Sequence, residues 1–407
     1  MKKLSLATKI LIGLILGVIV GLFTPLDFAT TFIKPFGDLF LRLIKMIIVP
    51  LVLASLVVGA ASVGDVKKLG RIGGKTMAYY LLTSAFAVVV GLVMANILQP
   101  GAGLDIPVDA TYEGREAPPI AAVLLDIIPE NPVGAMVNAS MLQIIAFALF
   151  LGIAITLVGE RANPVKDFFD GLAEVMYKIT GIVMAYAPIG VFGLIVPVVA
   201  KHGLDVLAPL AMVILAVYLG CFLHAAVVYS SAVKFLGKMN PLTYYKGIAP
   251  AALVAFTTCS SSGTLPVTIK CVEENLGISK EISSFCLPLG ATVNMDGTAV
   301  YMGVCALFVA QVYGLDLSFS QQLTIVLVGT LASIGAAGVP GAGLIMLTMT
   351  LTAVNLPLEG VALVAGIDRI LDMARTCVNV TGDTSCCVVV AASENDISIS
   401  PESKVTA

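Results

Sequence analysis

Apolar runs long enough to cross a lipid bilayer recur along this chain, near residues 8–25, 37–63, 76–98, 140–158, 168–199, 206–232, 281–314 and 358–391. A membrane helix needs about 20 largely apolar residues, so the recurrence points to an all-α polytopic membrane protein. Composition agrees: of the 407 residues 12% are charged, against roughly 25% in a soluble protein. A cytosolic enzyme, a disordered chain and a secreted disulfide scaffold are excluded on that ground. The net charge of −3 is too small and scattered for a nucleic-acid partner. Trp is absent, so an aromatic belt must draw on Tyr and Phe.

The first run follows Met1-Lys2-Lys3 and lacks an A-x-A cleavage site, which predicts a retained span rather than a signal peptide. Gln99–Pro132 is Pro-rich and acidic and predicts an exposed loop. Cations set the orientation. With the N-terminus inside, Lys2, Lys3, Lys9, Lys67, Lys68, Arg71, Lys75, Arg161, Lys166, Lys234, Lys238 and Lys246 fall on cytoplasmic segments. Arg42 and Lys45 run against the trend.

Past residue 240 the pattern changes. Regions 242–275 and 321–354 are apolar but interrupted, by Thr257-Thr258-Cys259-Ser260-Ser261-Ser262-Gly263-Thr264-Leu265-Pro266 and by Ser333-Ile334-Gly335-Ala336-Ala337-Gly338-Val339-Pro340-Gly341-Ala342-Gly343. Each is followed by a longer helix, so the pair reads as a repeated unit of broken hairpin then helix. Paired interrupted segments point to a transporter binding site, because non-helical backbone at membrane depth survives only inside protein or beside a wet cavity.

The last helix carries charges where lipid would be. At about 100° per residue, Asp368, Asp372, Arg375, Thr376, Asn379 and Asp383 share an arc of roughly 100°, with Arg369 at its edge. A charge at membrane depth costs roughly 2.5–3.5 kcal/mol on insertion scales, so this face is a candidate substrate and ion pathway. Internal ion pairing accounts for Asp368 with Arg369 and leaves the rest surplus. Arg375 offers a planar fork for a carboxylate, and Asp372 one turn earlier can receive an ammonium. Together they describe an amino acid with a second carboxylate. Asn379, Asp383 and the run Asn294-Met295-Asp296-Gly297-Thr298 offer hard oxygens for a small cation. The eight cysteines show no zinc-like spacing and read as small buried residues. His202 and His224 are too few for a metal site and read as an interfacial and a packed helix residue.

Four motifs in chain order, Ser260-Ser261-Ser262-Gly263-Thr264-Leu265-Pro266, Asn294-Met295-Asp296-Gly297-Thr298, Gly338-Val339-Pro340-Gly341-Ala342-Gly343 and Asp372-Met373-Ala374-Arg375-Thr376 with Asn379 and Asp383, resemble the dicarboxylate/amino acid:cation symporters, the glutamate transporter homologues, over about residues 5 to 395. The resemblance implies eight transmembrane helices plus two re-entrant helical hairpins with inverted repeats, assembled as a homotrimer in the inner membrane with both termini cytoplasmic. It implies scaffold helices in 1–75 and 136–200, an extracellular loop at 100–135 and a cytoplasmic tail at 396–407. The moving part would comprise 76–99, 201–240 and a transport core at 241–395. Movement would be elevator-like, with the second hairpin as the extracellular gate.

By the same resemblance the substrate touches Ser260, Ser261, Thr298, Val339, Gly343, Asp372, Arg375, Thr376 and Asn379. A first sodium ion maps to Gly290, Asn294, Asn379 and Asp383. A second uses carbonyls of Thr292, Ser333, Ile334 and Ala336, with Met295 nearby. A third maps to Tyr80, Thr83, Ser84, Asn294 and Asp296, whose hydroxyls speak for sodium over proton coupling. Relatives place a further arginine where this chain has Cys259 or Met373, so Arg369 is expected to fill that space. Carriers of neutral amino acids lack the arginine at Arg375, which argues for aspartate or glutamate driven by sodium. A proton-coupled C4-dicarboxylate carrier would leave Asp372 unpaired. A channel suits the mixed charges and hairpins less well, and no HExxH or other catalytic motif supports an enzyme.

Overall fold

The computed structural model describes residues 6–62, 66–104, 125, 128–203, 207–333 and 342–396. Its elements are helices: α1 (Leu6–Phe23), α2 (Lys34–Ser62), α3 (Val66–Leu98), α4 (Met141–Val158), α5 (Asn163–His202) and α6 (Leu207–His224) come first. They are followed by α7 (Pro241–Thr258), α8 (Ser261–Lys270), α9 (Lys280–Val293), α10 (Asp296–Val312), α11 (Phe319–Ala332), α12 (Ala342–Ala353) and α13 (Asp368–Glu394). Four stretches among the described residues are long and apolar enough to cross a membrane: Arg71–Leu98, Gln143–Val183, Leu207–Leu236 and Phe285–Val312.

Local chemistry sets where the later helices start. Asn240 caps α7 through Leu242 N, with Pro241 in the first turn. Ser260 caps α8 through Gly263 N, and Ser279 caps α9 through Ile282 N. Ser318 and Gln321 close a capping box on α11. Between α7 and α8 the chain turns on Cys259, which holds a left-handed conformation at φ 54°, a region that few non-glycine residues enter.

The expected span at 281–314 is two helices. Backbone at Asn294 is extended and Met295 is non-helical, so the run breaks between Val293 and Asp296. Apolar residues on both sides hide the break from hydropathy. It is tolerated because the Asn294 amide donates to Asp383 Oδ1 at 2.9 Å and to the Asn379 carbonyl at 3.2 Å. The last span is likewise split, into Gly360–Ala365 and α13. The expected start of the third span at 76 lies ten residues late, since α3 begins at Val66. Arg71 pairs with Glu394, and Lys75 reaches the same carboxylate at 2.6 Å, tying the start of α3 to the end of α13. Of the expected loop 99–132, residues 105–124, 126 and 127 lie outside the described residues, as does the tail from 397.

Packing falls into two groups. α2 lies on α4 and α5, and α1 lies on α5. α10 lies on α3, α6 and α13, and α13 also meets α7 and α9. The groups touch where α11 and α12 reach α4, where α9 and α12 reach α2, and where Gly360–Ala365 reaches α5. Every residue of α10 except Gln311 is buried, so its apolar character serves contact with protein rather than lipid. α3 crosses it backbone to backbone: a Cβ on Gly303 would lie 2.6 Å from the Val88 carbonyl and 2.8 Å from Leu92 N. Gly91 faces the Val300 carbonyl in the same way.

Candidate substrate and cation site

The starts of α8, α10 and α13 and the start of α12 supply the polar groups of the interior. Arg375, in the second turn of α13, is completely buried. Its Nη1 donates to Asp368 Oδ1 at 2.8 Å, and its Nη2 stands 2.9 Å from Asp372 Oδ1. The Asp372 contact is an ion pair off the hydrogen-bonding direction, so Nη2 and Nε have no hydrogen bond among the described residues. The guanidinium lies 4.2 Å from the centre of the Tyr301 ring, a cation–π contact. Gly343 closes in from α12, where any Cβ would strike the guanidinium. Thr376 donates to Asp372 Oδ1 at 3.3 Å.

The internal pairing differs from the expected one. Asp368 meets Arg375, not its neighbour Arg369. Adjacent helical residues point about 100° apart, whereas helical side chains lean toward the N-terminus, so Arg375 reaches back over two turns. Arg369 instead donates to the Thr257 carbonyl at 3.2 Å. That brings it to the end of α7, two residues before Cys259, where the missing arginine was expected to be replaced.

Around the break at Asn294 the hard oxygens gather. Asp383, Asn294 and the Asn379 carbonyl are joined by the Asn294 amide, while Asn294 Oδ1 is buried without a hydrogen bond. Gly290 lies against Asp383 Oδ1 and the Tyr80 hydroxyl. Tyr80 was expected with Asp296, but its hydroxyl sits beside this first group and donates to the Cys286 carbonyl at 2.9 Å. Thr83 is buried and donates to the Tyr80 carbonyl at 3.2 Å. Ser84 donates to Asp296 Oδ1 at 2.6 Å. Asn379 spends its side chain on Gly297 N (2.8 Å) and Met295 Sδ (3.1 Å), leaving its carbonyl turned to the Asn294 group. Ser261 and Thr298 are buried, and Ser260 is half-buried at the cap of α8. Thr292 is exposed and Ser333 is buried, its hydroxyl on the Thr330 carbonyl. Ile334, Ala336 and Val339 lie outside the described residues. Among the described residues no three His, Cys, Asp or Glu side chains gather as metal ligands. The carboxylates stand among amide, hydroxyl and carbonyl oxygens, which suit a hard cation better than a soft one.

Residues 6–393 match the sodium:dicarboxylate symporter family. The chain belongs to that family. It is 42% identical over 402 residues to the proton/sodium-glutamate symport protein of Geobacillus stearothermophilus, covering 96% of this chain and 95% of the relative. Identity to the proton/glutamate-aspartate symporter of Escherichia coli is 38% over 411 residues, 97% of this chain and 94% of the relative. A C4-dicarboxylate transport protein of Bacillus subtilis is 37% identical over 400 residues, 96% and 94%. This member of the sodium:dicarboxylate symporter family is therefore a membrane transporter, not an enzyme.

Three residues of this symporter escaped the sequence reading. His224 is no ordinary packed residue: its Nε2 lies 3.3 Å from Asp296 Oδ2, and both are fully buried. Tyr229 donates to the same oxygen at 2.7 Å. Tyr301 forms the floor under Arg375. Each is a single residue in an apolar helix, and only its distant carboxylate or guanidinium partner reveals it.

Proposed function

We propose that this chain is a sodium-coupled secondary symporter that imports aspartate or glutamate by elevator-type alternating access. The observation that carries the reading is Arg375: a fully buried guanidinium whose Nε has no hydrogen bond among the described residues and whose Nη2 is ion-paired to the buried carboxylate of Asp372 one turn away. A planar fork inside a protein is matched by a planar anion. The distal carboxylate of an acidic amino acid takes the unspent edge of Arg375, and Asp372 turns to the substrate ammonium. The amides at the start of α8, behind Ser260 and Ser261, receive the α-carboxylate. Thr298, Gly343, Thr376, Asn379 and Val339 complete the shell. Sodium ions, as cargo, take the oxygens of Gly290, Asn294, Asn379 and Asp383. They also take those of Tyr80, Thr83, Ser84 and Asp296, and the carbonyls of Thr292, Ser333, Ile334 and Ala336 near Met295.

In this reading the chain crosses the inner membrane eight times, with α7–α8 and α11–α12 as re-entrant hairpins and both termini cytoplasmic. The packing groups support a division into a scaffold of 1–75 and 136–200 and a moving unit of 76–99 and 201–395 within a homotrimer. A relative named for C4-dicarboxylates at 37% identity favours a second reading, proton-coupled dicarboxylate transport. Asp372 separates the two, because succinate brings no ammonium to meet it. Uptake of labelled aspartate into proteoliposomes, with and without an inward sodium gradient, tests the proposal. Saturable, sodium-dependent uptake that glutamate inhibits and succinate does not is expected; equal inhibition by succinate, or no sodium dependence, refutes it.

A further inference from the structure

Arg375 already has a carboxylate partner within its own chain. Asp368, 6% exposed, accepts from Nη1 at 2.8 Å, and Asp372 sits against Nη2. One guanidinium therefore serves two carboxylates, and the cluster carries one surplus negative charge. An acidic amino acid brings another net negative charge into the same buried volume. The ammonium goes to Asp372, and the distal carboxylate takes the edge of Arg375 that carries no hydrogen bond. Asp368 is then the carboxylate with the weakest hold, sharing one guanidinium with a second anion.

The groups around it offer no further compensation. On its own helix Asp368 faces Arg375, Asp372 and Arg369, and Arg369 is drawn away to the Thr257 carbonyl. From α10 it faces Tyr301 and Cys305, and from the α7–α8 break Cys259, none of them cationic. A buried carboxylate without a full countercharge is expelled or neutralised.

We propose that Asp368 is the proton carrier of the transport cycle, changing from carboxylate to carboxylic acid as an acidic substrate binds, so that a proton travels with it. The proton comes from water on the loading side, leaves to water on the release side, and no other bond is made or broken. The inference rests on the acidic-substrate reading.

The test uses the full chain in proteoliposomes with a trapped pH indicator and an inward sodium gradient. Wild type is expected to acidify the lumen as labelled aspartate enters, and its apparent aspartate affinity is expected to fall as pH rises, by up to about tenfold per pH unit. Asp368→Asn is expected to carry aspartate without acidification and with that pH dependence lost, while its sodium dependence stays. Acidification that persists in the variant overturns the proposal. Aspartate uptake by wild type without acidification also overturns it and leaves the acidic-substrate reading intact. Wild type that takes up no acidic amino acid overturns both. Where the variant does not fold, an infrared difference spectrum of wild type on adding aspartate decides: a new carboxylic-acid band, shifted in Asp368→Glu, is expected, and its absence refutes the assignment.

Discussion

α5 and α13 are both long helices, and they place charge in opposite ways. On α5 the charged residues Asp167, Glu174 and Lys178 are exposed, while the buried side is Phe169, Ala173, Met176, Val183, Ala187, Val191 and Ile195. On α13 the buried side holds Asp368, Asp372, Arg375, Asn379 and Asp383. The first arrangement asks nothing of its neighbours but shape. The second survives only because each buried group is hydrogen-bonded or ion-paired by another turn or another helix, with Arg375 shared by two carboxylates. Stability in α5 and chemistry in α13 are therefore separable by mutation.

The largest effect is expected at Arg375→Ala, which strands Asp368 and Asp372 as unpaired buried charges. Losing the charged partner of a substrate carboxylate costs about 2–5 kcal/mol of binding, so aspartate uptake, read as kcat/KM in proteoliposomes, should fall by about thirtyfold or more. Retained aspartate affinity would erase the contrast between the two helices. Asp383→Asn comes next. It removes a carboxylate from the Asn294 group, a loss of about 1–3 kcal/mol, and should raise the sodium concentration for half-maximal uptake about tenfold or more. Ile195→Val, in the α5 core against Gly17, should cost about 0.5–1.5 kcal/mol of stability, seen as a lower melting temperature, with substrate KM unchanged. A changed KM there would show that α5 does more than pack. The smallest effect belongs to Glu394→Gln, which loosens Arg71 and Lys75 at the exposed ends of α3 and α13. A slight thermal shift and unaltered uptake are expected.

Much of this was legible along the chain, and the limits have physical causes. Hydropathy found the apolar spans because lipid and core ask for the same residues. It could not tell α10, buried in protein, from a helix facing lipid, nor see the break at Asn294–Met295 inside an apolar run. The helical wheel put Asp368 and Arg375 on one side, yet proximity in sequence favoured Arg369. Side-chain lean and length decide that pairing, and neither is visible in a string of letters. His224 and Tyr229 were invisible because Asp296, which gathers them, lies some seventy residues away and carries no periodic signal of its own.

The glycine crossing of α3 and α10 has a mechanical corollary. With Gly91 and Gly303 bringing the two backbones into contact, no side chain is left between them to act as a bearing. The helices cannot slide past one another without lifting apart. Ser84 and Asp296, one on each helix, are thus held in register through any rearrangement that leaves the crossing intact. A bulkier residue at Gly303 would act as a shim, parting Ser84 from Asp296 while touching neither.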